Sequence, residues 1–303
     1  MALKPETQRE RHESQLLVQY AFELARTLGI HRLLVQTDAP QDIEMIAALR
    51  SAERIIWGIK GHTACPGVEA SQDAVVYVPE TSLTQMSQVR LTLFLAVLNT
   101  DIGLNERLVC LAKVAGSSHL DTLLITNLRR NFPWFRRPDL AGLRKLPAIR
   151  HFGRLLEIAL RLAAEGREGR PIGTIFVLGE LQQLQPYLRQ LILNPCAGHP
   201  QPERNIHTPS FLETLRELAA LDGAFVISNT GVVEAAGAYL DAPPQRGALR
   251  RGFGARHAAA MAITTATKSF ALVVSESSGT VTVFHEGQIL LELEKPDATP
   301  PRR

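Results

Sequence analysis

The chain has 303 residues, 45% of them hydrophobic and 21% charged, an ordinary globular composition with enough apolar material for about two domains. A formal net charge of +3 singles out neither nucleic acid nor a membrane surface as a partner. Cys65, Cys110 and Cys196 are odd in number, far apart and without C-x-x-C spacing, which argues against a disulfide framework or a zinc site and for a reducing cytoplasm.

The first residues, Met1 to Arg11, are polar and charged, unlike a signal peptide. Leu17, Tyr20, Ala21, Leu24 and Leu28 recur at helical spacing, predicting a helix over Leu16 to Leu28 that Gly29 stops. Leu33-Leu34-Val35 reads as a buried strand, Asp42 to Leu49 as a helix, and Ile55-Ile56-Trp57 and Val75 to Val78 as further strands. Val89 to Leu98 predicts a buried helix; its apolar run, Leu91 to Leu98, is the longest in the chain and far shorter than the roughly 20 residues of a membrane span. Leu108 to Val114 and Leu123 to Thr126 are two more apolar runs. Helices alternating with short continuous apolar strands predict an α/β domain with a mainly parallel sheet over residues 1–130.

Residues 131–148 break that pattern. Pro133, Pro138 and Pro147 stand among Arg129, Arg130, Arg136, Arg137, Arg144 and Lys145, which reads as a basic linker docked by Phe132, Trp134 and Phe135. A phosphate or subunit contact there is the sharper alternative. A nucleic-acid partner would rest on these arginines alone, and none is expected. The second domain is placed at 149–295. Phe152 to Ala164 predicts an amphipathic helix, Gly166 to Arg170 a turn, Gly173 to Leu178 a strand, and Leu181 to Leu193 a helix ending at Asn194-Pro195. Phe211 to Leu221 predicts a helix running into Asp222. Phe225 to Ser228 and Val232 to Ala236 predict a hairpin about Asn229-Thr230-Gly231. His257 to Thr265 predicts a helix, Ala271 to Ser275 and Thr280 to Phe284 a strand pair, and Leu290 to Leu293 a closing strand; the tail 296–303 is expected to be disordered.

Three short stretches can carry chemistry. Asp222 sits where a helix meets a strand; its carboxylate suits a hard divalent cation, although Asp-Gly is first of all a turn signal. Gly254-Ala255-Arg256-His257 leads into an alanine-rich helix. A helix N-terminus attracts anions, a glycine lets phosphate approach the backbone, and Arg256 adds charge-assisted hydrogen bonds; a flexible loop with a polar helix start explains the same residues as well. Ser275-Glu276-Ser277-Ser278-Gly279 offers hydroxyls and a carboxylate to a metal and phosphate shell, and is by itself an ordinary hairpin.

Taken in order, Gly166 to Gly179, Gln190 to Pro195, Leu221-Asp222-Gly223-Ala224, Gly254-Ala255-Arg256-His257 and Val274 to Thr280 resemble the diadenylate cyclase domain. The resemblance spans nearly half of the chain, and the family's fold is a mixed sheet flanked by helices. It implies condensation of two ATP into cyclic di-AMP and two pyrophosphates, a nucleotidyl transfer yielding a second messenger. The active site would lie between facing subunits of a homo-oligomer. It further implies Asp222, Arg256 and His257 as catalytic. Gly223, Ala224, Tyr239, Leu240, Gly254, Ala255, Arg256, His257 and Ser275 would bind ATP. Asp222 and Glu276 would hold a divalent cation, Mn2+ or Mg2+ with Co2+ as a further candidate. Many members carry Thr-Arg-His-Arg where this chain has Ala255-Arg256-His257-Ala258, so a weak or inactive module binding ATP or cyclic di-AMP is the alternative, with Arg250 or Arg251 as substitutes for the missing charge. The N-terminal half is similar, more loosely, to the pyruvate-kinase C-terminal-like domain preceding the cyclase in archaeal-type members; the segments are His31 to Thr37, Leu108 to Gly116 and Leu120 to Asn127. That half is expected to regulate or oligomerise. Its run Val114 to His119 offers backbone N–H groups to a small anion, or is a plain strand-to-helix loop.

Overall fold

Apolar residues at helical spacing produce the first element of the computed structural model, which describes residues 5–61, 68, 73–113, 117, 119–132, 135, 140–166, 172–244 and 252–296. Helix α1 (Pro5–Thr27) buries Val18, Ala21, Phe22 and Ala25. Gly29 ends it as expected. With φ at +61°, its N–H donates to Arg26 O while the Ile30 N–H reaches back to Ala25 O at 2.7 Å, a closure that satisfies the last carbonyls and needs a residue free to enter the left-handed region.

Two compact units follow from the packing, one running to Ala141 and one spanning Gly142–Lys295. The first holds a five-stranded sheet in the order β3-β2-β1-β4-β5, made of β1 (Arg32–Gln36), β2 (Arg54–Lys60), β3 (Ala74–Val78), β4 (Arg107–Ala112) and β5 (Thr122–Asn127). The four pairs are parallel except β4–β5. Continuous apolar runs such as Ile55-Ile56-Trp57 are what strands covered on both faces require. The covers are α1, α2 (Pro40–Leu49) and α3 (Gln85–Asn99); α3 buries Val89, Leu91, Leu93, Phe94, Leu95, Ala96 and Val97 and is capped by Thr84, whose Oγ1 accepts from Ser87 N. Short helices α4 (Leu128–Asn131) and α5 (Leu140–Leu143) lie in and beside the expected linker. There, Phe132 and Phe135 are buried, edge to face at 5.9 Å, whereas Arg129, Arg130, Arg144 and Lys145 stay exposed. Pro133, Trp134, Arg136, Arg137 and Pro138 lie outside the described residues, as do Cys65, residues 114–116 and 118, residues 167–170 of the expected turn and Pro171, Arg250, Arg251 and residues 297–303.

The second unit holds a seven-stranded mixed sheet, β12-β11-β10-β6-β8-β9-β7. Central β6 (Thr174–Gly179) is buried throughout; it runs parallel to β8 (Ala224–Ser228) and antiparallel to β10 (Phe270–Val274). β9 (Val233–Leu240) pairs with β8 across the expected turn, and β11 (Val281–His285) and β12 (Gln288–Leu293) complete the other wing. One face packs α6 (Ile149–Glu165), with Phe152 against Phe270 at 5.1 Å and Phe176 stacked on Phe225 at 5.0 Å. The other packs α9 (Ala255–Ala266), whose Ala260 and Ile263 join Ile175, Val177, Val226 and Val273.

One expected element is overturned. Leu181 to Leu193 is not a helix: α7 (Leu181–Leu184) gives way to a 3-10 turn, Gln185–Tyr187, and then to the edge strand β7 (Leu188–Gln190), which pairs with β9. Pro186 explains the break, since it has no N–H and its ring clashes with the preceding turn. The expected helix into Asp222 is also shorter. It is α8 (Pro209–Leu218), and Asp222 follows it across an irregular stretch rather than on its last turn. Among the described residues, no helix is long and apolar enough to cross a membrane.

Candidate functional site

The sheet of the second unit brings distant segments to one end. β6 and β8 are parallel, so Gly173 and Asp222, which precede them, emerge side by side. β10 is antiparallel to β6 and pairs Val274 with Thr174, so its exit, Ser275-Glu276, arrives at the same end. α9 begins there too. Together these segments enclose an open cleft of about 680 Å³, lined by Asp222, Gly254, Arg256, His257, Ser275 and Glu276, with Gly252, Ala255, Val273, Val274 and Ser277 completing its wall.

Local sequence explains each placement. The Asp222-Gly223 step passes directly against β9: a Cβ on Gly223 would lie 2.6 Å from Gly237 C and 2.8 Å from Ala238 N, and Gly223 has φ at +109°. Only glycine fits so close a crossing at that dihedral. It leaves the Asp222 side chain 91% exposed, facing solvent over the cleft. Gly254 is the N-cap of α9, with an extended backbone and no side-chain cap. The leading N–H groups of a helix have no intrahelical acceptor, and here they belong to Ala255 and Arg256. A Cβ on Gly254 would meet nothing within 4 Å, so the space before these amides is open.

Arg256 ties the acidic residues together. Its Nη1 donates to Glu276 Oε2 at 3.3 Å, and its Nη2 lies 3.6 Å from Asp222 Oδ1. Gly173, which composition and spacing had not marked as a site residue, makes room for the guanidinium: a Cβ there would sit 2.5 Å from Nη1 and 2.9 Å from Glu276 Cβ. The available signal was a glycine at the threshold of a buried apolar run. Ser275 opens the tight turn back to β11; its backbone N–H donates to Thr280 O, its O accepts from Gly279 N, and its hydroxyl is 3.3 Å from that of Ser277.

His257 lies at the same end but is held differently. It is 7% exposed, stacked on Phe253 with ring centroids 4.2 Å apart, and edge-on to Phe284 at 6.1 Å. Burial pushes its pKa below the ordinary value, only partly opposed by the charge of Glu292, so the ring is neutral near pH 7. A neutral imidazole acts by hydrogen bonding and by shaping the wall, not as a cation. Phe253 at i−4 from His257 is the sequence signal for this stack.

Tyr239 and Leu240 are not in the cleft wall among the described residues. They alternate across β9. Leu240 is buried in the apolar cluster with Leu184, Ala260 and Ile263, while Tyr239 is 51% exposed. β9 nevertheless passes beneath Asp222 at Gly237. There it also meets the segment after β7, whose Leu191, Ile192 and Leu193 are 54%, 44% and 95% exposed. Asn194 anchors that segment by donating to Glu234 O and accepting from the N–H groups of Cys196 and Ala236.

The arrangement can hold an anion and a cation at once. Arg256 and the α9 amides suit phosphate. Asp222 and Glu276 offer hard oxygen ligands, and among the described residues no group of three or more His, Cys, Asp or Glu side chains forms a metal cage. A divalent cation bound here would therefore complete its shell with water and ligand oxygens, the usual state of Mg2+ at a nucleotide.

Residues 161–289 match the family described as "DisA bacterial checkpoint controller nucleotide-binding". The chain is 34% identical over 175 residues to a protein named diadenylate cyclase from Methanocaldococcus jannaschii, covering 58% of this chain and 55% of that one. It is 35% identical over 140 residues to a protein of the same name from Haloferax volcanii, covering 46% and 51%. The chain thus spans about half the length of these curated relatives. A solved structure of a DacA double mutant from Staphylococcus aureus is similar at 23% identity with a TM-score of 0.33, covering 46% of this chain and 85% of that one.

Proposed function

We propose that this chain is a diadenylate cyclase, joining two ATP into cyclic di-AMP with release of two pyrophosphates. The observation that carries the reading is the gathering of Asp222, Arg256 and Glu276 about the open N-terminus of α9, in the segment that matches a nucleotide-binding family and relatives of that name. The triphosphate lies across the α9 amides and Arg256, with the Ser275 hydroxyl at its edge. Arg256 gives up exposed ion pairs to do so, each worth only about 0–1 kcal/mol, which makes the exchange inexpensive. Asp222 and Glu276 would hold a divalent cation, Mn2+, Mg2+ or Co2+, which when bound would supply positive charge at the α-phosphate and favour deprotonation of the attacking 3′-hydroxyl. Asp222 stands on the solvent side of the cleft, where it meets a hydroxyl brought by a second nucleotide. One cleft serves one ATP and the product needs two, so a second copy faces the first. The exposed Leu191, Ile192, Leu193 and Tyr239 beside Asp222 form an apolar rim suited to that contact. Positioning and electrostatics carry the rate, with little covalent work for the protein.

The first unit, with its 3-2-1-4-5 sheet, is read as a pyruvate-kinase C-terminal-like regulatory or oligomerising domain, and the whole as a cytoplasmic protein. The experiment that tests the cyclase reading is Asp222→Asn in purified protein with ATP and Mn2+. Cyclic di-AMP output falls at least a hundredfold; unchanged output refutes the assignment. A second reading, a module that binds nucleotide without turnover, is favoured by Ala255 and Ala258 beside Arg256. It predicts saturable ATP binding by the parent protein and no product with Mg2+, Mn2+ or Co2+.

A further inference from the structure

We infer that the second unit carries a metal site outside the cleft, formed by His151 and His207 and suited to a borderline divalent ion such as Ni2+ or Cu2+. The inference does not rest on the cyclase reading. His151 stands in the first turn of α6 and His207 in the segment leading to α8. They are 56 residues apart in the chain, yet His151 Nδ1 lies 2.9 Å from His207 Nε2. The place is the far end of the sheet from the cleft. Asp222 precedes β8, whereas Gly231, which His151 faces, follows it, and the five residues of the strand put roughly 17 Å between the two ends.

The frame around the pair is hydrogen-bonded. Arg154 Nε donates to Ile206 O at 3.2 Å, tying α6 to the residue before His207. The Ile206 N–H donates to Gly231 O at 2.9 Å, and Asn205 Nδ2 donates to Thr230 O at 3.1 Å. Gly231 gives the His151 ring its room: a Cβ there would lie 2.9 Å from His151 Nδ1 and 3.2 Å from Asn205 Oδ1. Asn205 Oδ1 accepts from His207 N at 3.0 Å and keeps a second lone pair, so it borders the pair as an oxygen donor, direct or through water.

The facing nitrogens share one proton, given by one ring and accepted by the other. Burial first, then the charges of His207 and Arg150, hold the His151 pKa below its ordinary value against the pull of the Asn229 carbonyl, so this ring is neutral near pH 7. A divalent ion takes the place of the shared proton, which leaves to solvent. Distance selects the ion. Two nitrogens ~2.0–2.1 Å from a metal are about 2.9 Å apart at 90° and about 3.4 Å apart at a tetrahedral angle. The observed 2.9 Å fits adjacent corners of a tetragonal site, the geometry of Cu2+ and Ni2+, once the rings turn about their Cβ–Cγ bonds to converge on it; His207 is exposed and free to do so. Mg2+ and Mn2+ prefer oxygen and gain little from imidazole. No third His, Cys, Asp or Glu joins the pair among the described residues, and Arg150 opposes a metal's charge as it does a proton's, so the affinity is expected to be micromolar.

The test is calorimetric titration of the full chain, free of any affinity tag, with Ni2+ in a background of millimolar Mg2+ that occupies carboxylate sites. Ni2+ binds at micromolar concentration, at least tenfold tighter than Mn2+. His151→Gln and His207→Gln each weaken it tenfold or more; if His151→Gln does not fold, the exposed His207→Gln decides. One equivalent of Cu2+ gives an electron paramagnetic resonance spectrum split by two nitrogens in the parent and by no more than one in either variant. Ni2+ binding that both variants retain overturns the site, as does absence of Ni2+ and Cu2+ binding at millimolar concentration. Zn2+ bound tenfold tighter than Ni2+ overturns the tetragonal assignment.

Discussion

Gly223 and Gly254 stand at the two sides of the cleft in the second unit, and the structure gives them opposite tasks. A methyl at Gly223 would overlap Gly237 C and Ala238 N at 2.6 and 2.8 Å, with φ at +109°. Backbone strain of about 1–3 kcal/mol and overpacking of a similar size put Gly223→Ala roughly 2–6 kcal/mol down. At about 2–4 °C per kcal/mol for a unit of this size, its melting midpoint falls by about 5–20 °C. Gly254 has φ at −95° and nothing within 4 Å of an added Cβ. Threonine is about as good an N-cap as glycine, so Gly254→Thr stays within about 0.5 kcal/mol of the parent in stability. Its side chain occupies the space before the Ala255 and Arg256 amides, where the phosphate is proposed to lie. Losing those contacts costs about 2 kcal/mol, about thirtyfold in affinity. Thermal denaturation and ATP titration of the two variants check both halves. A Gly254→Thr protein that melts like the parent and binds ATP equally well removes the phosphate from the α9 N-terminus; a Gly223→Ala protein of parental stability refutes the close-crossing argument.

Arg256→Lys keeps the charge but loses the planar fork, so under the proposed cyclase function ATP turnover is expected to fall about 10–100-fold while the melting midpoint moves little, because the ion pairs lost are exposed; steady-state kinetics beside calorimetry read both. Burial lowers the pKa of His257, and that of His151, where His207 adds to the effect. The unfolded chain therefore binds more protons than the folded one just below pH 6.5, so stability falls as the pH drops through that range and levels off below the folded values. In midpoints measured from pH 7 to pH 5, His257→Phe removes part of this fall; an unchanged profile contradicts the neutral, buried ring. Ala255→Thr adds a hydroxyl at an exposed position on the cleft wall. One new hydrogen bond of about 1 kcal/mol tightens ATP about fivefold in the same titration, and no gain argues that phosphate does not reach residue 255.

Much of the architecture was legible because burial writes itself into periodicity. Val89 to Leu98 reads as a buried helix and the runs at Leu33 and Ile55 as buried strands, and so they are; the run at Val75 is the edge strand β3, with Tyr77 39% exposed. Leu181 to Leu193 misled because its leucines suit helical spacing, while Pro186 and pairing with β9 impose an edge strand instead. Pairing is a long-range property, and local spacing does not record it.

The site divides in the same way. The sequence by itself carried the chemical types: a carboxylate before a glycine, an arginine at a helix start, and a serine-glutamate turn. The tertiary structure decided which of them meet. Parallel β6 and β8 with antiparallel β10 carry Gly173, Asp222 and Glu276 to one end, where Arg256 spans both carboxylates. It also decided that His257 is a neutral wall and that Tyr239 and Leu240 face opposite ways. Charge state follows from burial and side-chain direction from register, and both are set only when strands far apart in the chain come together.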